Sequence, residues 1–125
     1  MSRLLVDTHA LLWWLADDPA LSAAARAAIA DGANEPLVSA ASLWEIAIKQ
    51  SLGKLTVPHD LPETIASEGF AVLAVDAQHA WRVRELPLHH RDPFDRLLVA
   101  QALTQQIPIV TTDPQFAAYG VNVRW

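Results

Sequence analysis

Cysteine is absent from this chain of 125 residues, which excludes disulfides, thiolate metal sites and cysteine nucleophiles. Any metal must therefore be held by oxygen or imidazole. Charged residues are sparse, at 18%, while 52% are apolar. With no low-complexity run or glycine-rich linker either, the composition is that of a folded chain. No uninterrupted run of about 18 apolar residues is present to span a membrane. Met-Ser-Arg leads straight into Leu4-Leu5-Val6, without the basic, apolar and small-residue series of a secretory leader, so a cytoplasmic protein with no membrane association is expected.

Basic charge is also in short supply. Nine Lys and Arg stand against 14 Asp and Glu, a net −5, the opposite of the sign expected for a general nucleic-acid binder. If Asp7, Glu45, Asp92, Asp95 and Asp113 are set aside, the remaining acids balance the cations. The excess is then attributable to one site, where divalent cations would offset it.

The length is near the mode for one domain, and either half alone would bury too little, so residues 1–125 are expected to form a single domain. Arg3–Val6 reads as a strand ending at Asp7, followed by a helix from Thr8 with Leu11, Leu12 and Leu15 at helical spacing. Ser22 can cap an alanine-rich helix ending near Gly32. Pro36–Ser39 is a second strand, with a helix over about Ala41–Leu52 stopped by Gly53. Asp60-Leu61-Pro62-Glu63 opens a helix reaching about Gly69. Ala71–Val75 is a third strand, and Asp76 caps a helix that ends before Pro87. A polar loop, Leu88–Arg91, precedes a helix from Asp92-Pro93 to about Gln106. Pro108–Thr111 and Val121–Trp125 complete the strands. This alternation predicts an α/β domain with a mostly parallel sheet covered by helices, and ligands in such sheets sit beyond the carboxyl ends of the strands.

Four acids are the candidate chemistry. Asp7 and Asp113 each follow an apolar strand, although Asp7 could simply cap the helix after it. Glu45 follows Ser42 by three residues, the spacing of a capping box, and taken alone that reading is the better one. Asp95 lies in a first turn, where an acid complements the helix dipole. Asp92, before Pro93, reads as a structural N-cap. Thr8 and Thr112 adjoin two of the acids and are secondary candidates. Convergent carboxylates suit Mg²⁺ or Mn²⁺, which keep several waters and prefer hard oxygen ligands. Such ions activate water and stabilise charge on a scissile phosphate.

Leu5-Val6-Asp7-Thr8-His9, Ser39 to Lys49 (SAASLWEIAIK), Asp92-Pro93-Phe94-Asp95-Arg96-Leu97-Leu98 and Val110-Thr111-Thr112-Asp113 together resemble the PIN-domain family, most closely the VapC-type toxins of bacterial toxin-antitoxin modules. The likeness covers essentially the whole chain, with the motifs in order and at the expected spacing. It implies a PIN-like α/β/α sandwich with a mostly parallel sheet, and endonucleolytic cleavage of RNA that requires Mg²⁺ or Mn²⁺. Asp7, Glu45, Asp95 and Asp113 match the family's acidic quartet, as catalytic and metal-binding residues. The resemblance also implies a cognate antitoxin, whose segment fills an apolar groove and obstructs the pocket, and a homodimer.

Several residues outside the quartet carry competing readings. Trp13 and Trp14 are adjacent and cannot share one helix face, so one of them, or Trp44, is expected to line the partner surface. His89-His90 lacks the spacing of helical ligands and reads as a solvated loop. Arg91 and Arg96 could grip an RNA phosphate, while Arg96 could instead pair with Asp92 at i,i+4. A receiver domain fits poorly, with Asp7-Thr8 and Asp76 in place of its acids. A haloacid-dehalogenase-like phosphatase needs an acid where His9 stands. The rival of a different class is a folded partner-binding module with little or no nuclease activity.

Overall fold

The computed structural model describes residues 2–125. Five strands, β1 (Ser2–Val6), β2 (Asn34–Ser39), β3 (Ala71–Leu73), β4 (Ile109–Val110) and β5 (Val123–Arg124), alternate with helices. The helices are α1 (Thr8–Leu15), α2 (Ala23–Ala30), α3 (Ala40–Ser51), α4 (Leu61–Ser67), α5 (Ala77–Arg82) and α6 (Pro93–Gln105). The sheet order is β3-β2-β1-β4-β5, and every pairing is parallel. This is the expected α/β architecture.

Alternation along β1 distributes the core between two faces. Leu4 and Val6 pack with Ala10, Leu11, Ile46 and Ile65, from α1, α3 and α4. Leu5 points the other way and joins Leu98, Val99 and Ala102 of α6 with Ile109 of β4. Leu4, Leu5 and Val6 are all fully buried, so each contributes about 1.5–3 kcal/mol of apolar transfer. This two-sided burial explains why β1 is a continuous apolar run.

Some element boundaries differ from expectation. β3 stops at Leu73 rather than Val75, and β5 covers only two residues. α3 begins at Ala40 and is capped by Ser39, whose hydroxyl oxygen accepts the Ala41 N–H at 3.0 Å. Ser42 therefore lies inside the helix, and Glu45 stands in its second turn, so no capping box joins them.

Reversal of strand order falls between β1 and β4. Asp7 immediately follows β1, and Asp113 lies just beyond β4, so both acids stand at the switch point where the helices on the two faces diverge.

Candidate active site

Asp7 both caps a helix and reaches across to Thr111, just beyond β4. One carboxylate oxygen accepts the Ala10 N–H at 2.7 Å, closing the start of α1, and the other accepts a short hydrogen bond from the Thr111 hydroxyl. The residue is buried, and burial is the main reason its carboxyl is raised above the ordinary range. The Thr111 and Ala10 hydrogen bonds oppose that shift, as does the charge of His9, while the charge of Asp113 adds to it.

Glu45 is also buried, projecting from α3. Its Oε1 accepts from the Thr8 hydroxyl at 2.9 Å, and its Oε2 pairs with Lys49 Nζ at 2.8 Å. Ser42 Oγ lies 2.9 Å from the same Thr8 oxygen. One hydroxyl hydrogen cannot serve both partners, so Thr8 donates to the carboxylate and Ser42 donates to Thr8. The Glu45 hydrogen bond is also the leading cause that raises the half-exposed Lys49 ammonium.

Asp92 and Asp95 occupy one turn of α6 with different roles. Asp92 Oδ1 accepts the N–H groups of Phe94 and Asp95, at 2.8 and 3.1 Å, which is the expected N-cap. Asp95 instead turns its carboxylate toward His90 and Asp113. Burial first, and then the negative charge of Asp92, push its carboxyl up to about 7. His90 opposes this, while the charges of Glu45 and Asp7 add to it. Asp113 completes the set, with Oδ1 accepting the Gln115 N–H at 2.9 Å.

A histidine joins the last two acids. His90 Nε2 lies 3.0 Å from Asp95 Oδ2 and 3.1 Å from Asp113 Oδ2. His89 is exposed, as a loop residue should be, but His90 turns inward, which corrects the solvated-loop reading for that residue. Its loop position gives no periodicity from which this could be read.

Thr112 does not take the secondary role expected of it. It is exposed, and its buried neighbour Thr111 bonds Asp7 and also accepts the Asp113 N–H at 3.1 Å. Arg96 forms no ion pair with Asp92 among the described residues. Its guanidinium donates to the carbonyls of Val83, Leu86, Pro87 and His90 and to the Tyr119 hydroxyl, fastening the segment before α6. Five such partners leave little capacity for a phosphate, whereas Arg91 is exposed.

The donor set fits a hard divalent cation. Carboxylates from four separate elements act on one another electrostatically, and the partners found on them are N–H, O–H or ammonium donors. Among the described residues, no buried side-chain polar atom lacks a partner.

The tryptophans do not share one surface. Trp13 lines a groove of about 370 Å³ with Leu12, Leu15, Leu55 and Val57, and a hollow beside Trp44 adjoins it at Pro58. Trp14 lies elsewhere, its indole N–H on Glu68 at 3.2 Å, the Arg26 guanidinium 5.9 Å from its ring and Phe70 edge-on. Trp44 is exposed and meets Phe94 edge-on.

The family model of the PIN domain matches residues 4–122. The chain is 31% identical to Ribonuclease VapC22 of Mycobacterium tuberculosis over 126 residues, covering 95% of this chain and 93% of that protein. Its fold is similar to that in the DNA-bound VapBC structure from Salmonella typhimurium, with TM-score 0.74, 18% identity and 98% and 97% of the two chains covered. It is also similar to a chain of VapBC2 from Rickettsia felis bound to a promoter DNA fragment, with TM-score 0.65, 14% identity and 97% and 96% covered.

Proposed function

This chain belongs to the PIN-domain family, and from that membership we propose that it is a divalent-metal-dependent endoribonuclease, the toxin of a toxin-antitoxin module. One observation supports the reading most. Asp7, Glu45, Asp95 and Asp113 come from four separate elements, Asp7 and Asp113 at the switch point of a parallel sheet and Asp95 beside Asp113 across His90, and burial raises the carboxyls of Asp7 and Asp95. Such an arrangement is costly for a protein that uses no cation.

In this reading Asp7, Glu45, Asp95 and Asp113 hold Mg²⁺ or Mn²⁺. When bound, the cation lowers the pKa of a water and screens the charge on the scissile phosphate and leaving oxygen. The protein's own contribution is positional. Ala10 and Thr111 fix the Asp7 carboxylate, and Thr8 and Lys49 fix Glu45. Asp92 closes α6 so that Asp95 faces inward. Arg91, exposed beside the loop, is the candidate contact for an RNA phosphate.

The partner in this reading is a cognate antitoxin, whose apolar segment lies along the Trp13 groove and whose Arg or Lys reaches the acids. Apolar contact supplies most of the affinity, since buried ion pairs alone often only break even. The family likeness also leads us to include a homodimer and a cytoplasmic location. No helix among the described residues is long and apolar enough to cross a membrane.

Metal-titrated cleavage of RNA by the purified protein tests the activity. Cleavage that appears with Mg²⁺ or Mn²⁺ and vanishes with chelator is expected. Absence of turnover at every metal concentration would leave the partner-binding module as the better account.

A further inference from the structure

His90 occupies the space between two of the acids with its hydrogen-bonding capacity fully committed. Its Nδ1 accepts the Asp92 N–H at 3.2 Å, which places the ring hydrogen on Nε2, directed at Asp95 and Asp113 at 3.0 and 3.1 Å. The His90 backbone N–H donates to the Tyr119 hydroxyl at 2.7 Å, and the ring meets Phe116 edge-on at 6.1 Å. Arg96 holds the carbonyls of Val83, Leu86 and Pro87 in the same segment.

We propose that His90 is an internal plug, its imidazole N–H standing between Asp95 and Asp113 where the divalent cation binds, so that metal entry requires the ring to leave. This rests on the reading above, in which those carboxylates are metal ligands. The geometry distinguishes a plug from a further ligand. A histidine that binds metal through Nε2 needs a lone pair there and normally donates its Nδ1–H to an acceptor. Here Nδ1 faces an N–H donor. Moving the hydrogen to Nδ1 would set two hydrogens against each other and break the bond to Asp92.

Departure of the ring gives up its contacts to Asp92, Asp95, Asp113 and Phe116 but breaks no helix or strand. His90 lies in a stretch without helix or strand between the turn at Val83–Glu85 and α6, flanked by exposed His89 and Arg91. In the metal-free chain the plug provides the donor that keeps Asp95 and Asp113 from facing each other unpaired. In the metal-bound chain it is a competitor that has been displaced. It therefore lowers metal affinity, and by a similar factor for Mg²⁺ and Mn²⁺, because vacating a position does not depend on donor softness.

Calorimetric titration of Mg²⁺ and Mn²⁺ into the purified chain without RNA tests this, using wild type, His90→Ala and His90→Gln. The alanine variant should bind both ions more tightly, on the order of tenfold, the size of a charge-assisted hydrogen bond no longer competing. The glutamine variant keeps an N–H donor and should stay near wild type. In chelator, His90→Ala should melt below wild type and gain more from Mg²⁺. Weaker Mn²⁺ binding by His90→Ala, with Mg²⁺ less affected, would identify a nitrogen ligand and overturn the plug. Equal affinities in all three proteins would overturn it too. Failure of every variant to bind either ion would instead refute the metal-site reading, and the plug with it.

Discussion

The carboxylate of Asp92 accepts the backbone N–H of Asp95 at 3.1 Å, so of two acids in one helical turn the first closes the helix and the second is left to meet His90 beside Asp113. This predicts unequal results from equal chemical changes. Asparagine also caps helices, so Asp92→Asn should keep most of the RNA cleavage. Asp95→Asn, which removes a negative ligand without changing volume, should lose about a hundredfold or more. Single-turnover cleavage by both variants measures the contrast, and equal losses would contradict the division of roles.

Acid convergence also fixes a pH dependence. Asp95 is raised to about 7 and Asp7 is raised as well, whereas in the unfolded chain both ionise near pH 4. Between those values the native metal-free protein holds more protons than the unfolded chain, so its stability is highest at the acid end and falls as pH rises toward about 7. Denaturant unfolding in chelator, compared at about pH 5 and about pH 8, should show this loss, and Asp95→Asn should reduce it. Saturating Mg²⁺ should offset it, because the cation favours the ionised carboxylates. A wild-type chain whose stability rose across this window, with no change in Asp95→Asn, would contradict the account.

The tryptophans separate partner binding from folding. Trp14 is tied to Glu68, Arg26 and Phe70, so Trp14→Ala should lower stability, by roughly 2 kcal/mol for a half-buried ring. Trp13 lines the groove beside Leu55 and Val57, so Trp13→Ala should weaken antitoxin binding about tenfold or more while leaving cleavage nearly unchanged. Thermal melts and calorimetry with the purified antitoxin distinguish the two. Unchanged affinity in Trp13→Ala would move the antitoxin to another surface.

What could be read in the sequence was mostly local. Asp7 and Asp113 were legible because an acid that ends an apolar parallel strand must lie at the sheet's carboxyl edge. Asp92 was legible because a following proline favours the extended backbone of a cap. The start of α3 was legible to within one residue, but Ser42 and Glu45 imitate a capping box, while Ser39, three residues before Ser42, makes the actual cap. Thr111 and Thr112 are equivalent by composition, and only strand alternation and the position of Asp7 distinguish the buried hydroxyl from the exposed one. His90 and Arg96 depended on the path of an irregular segment, which carries no periodic signal. The five carbonyl and hydroxyl acceptors around Arg96 belong to residues 6 to 23 positions away in the chain.

The central claim is that one carboxylate site carries metal-dependent cleavage, and Asp7 is its most buried aspartate. Cleavage of RNA by wild type and Asp7→Asn, each titrated with Mg²⁺ and Mn²⁺ and accompanied by melting curves in chelator, tests it most directly. The account predicts that wild type cuts only with metal. Asp7→Asn should not cut, and should melt at or above the wild-type temperature because one repelling charge has gone. Cleavage by Asp7→Asn at the wild-type rate with the same metal dependence would show that Asp7 holds no ion and would contradict the site described here.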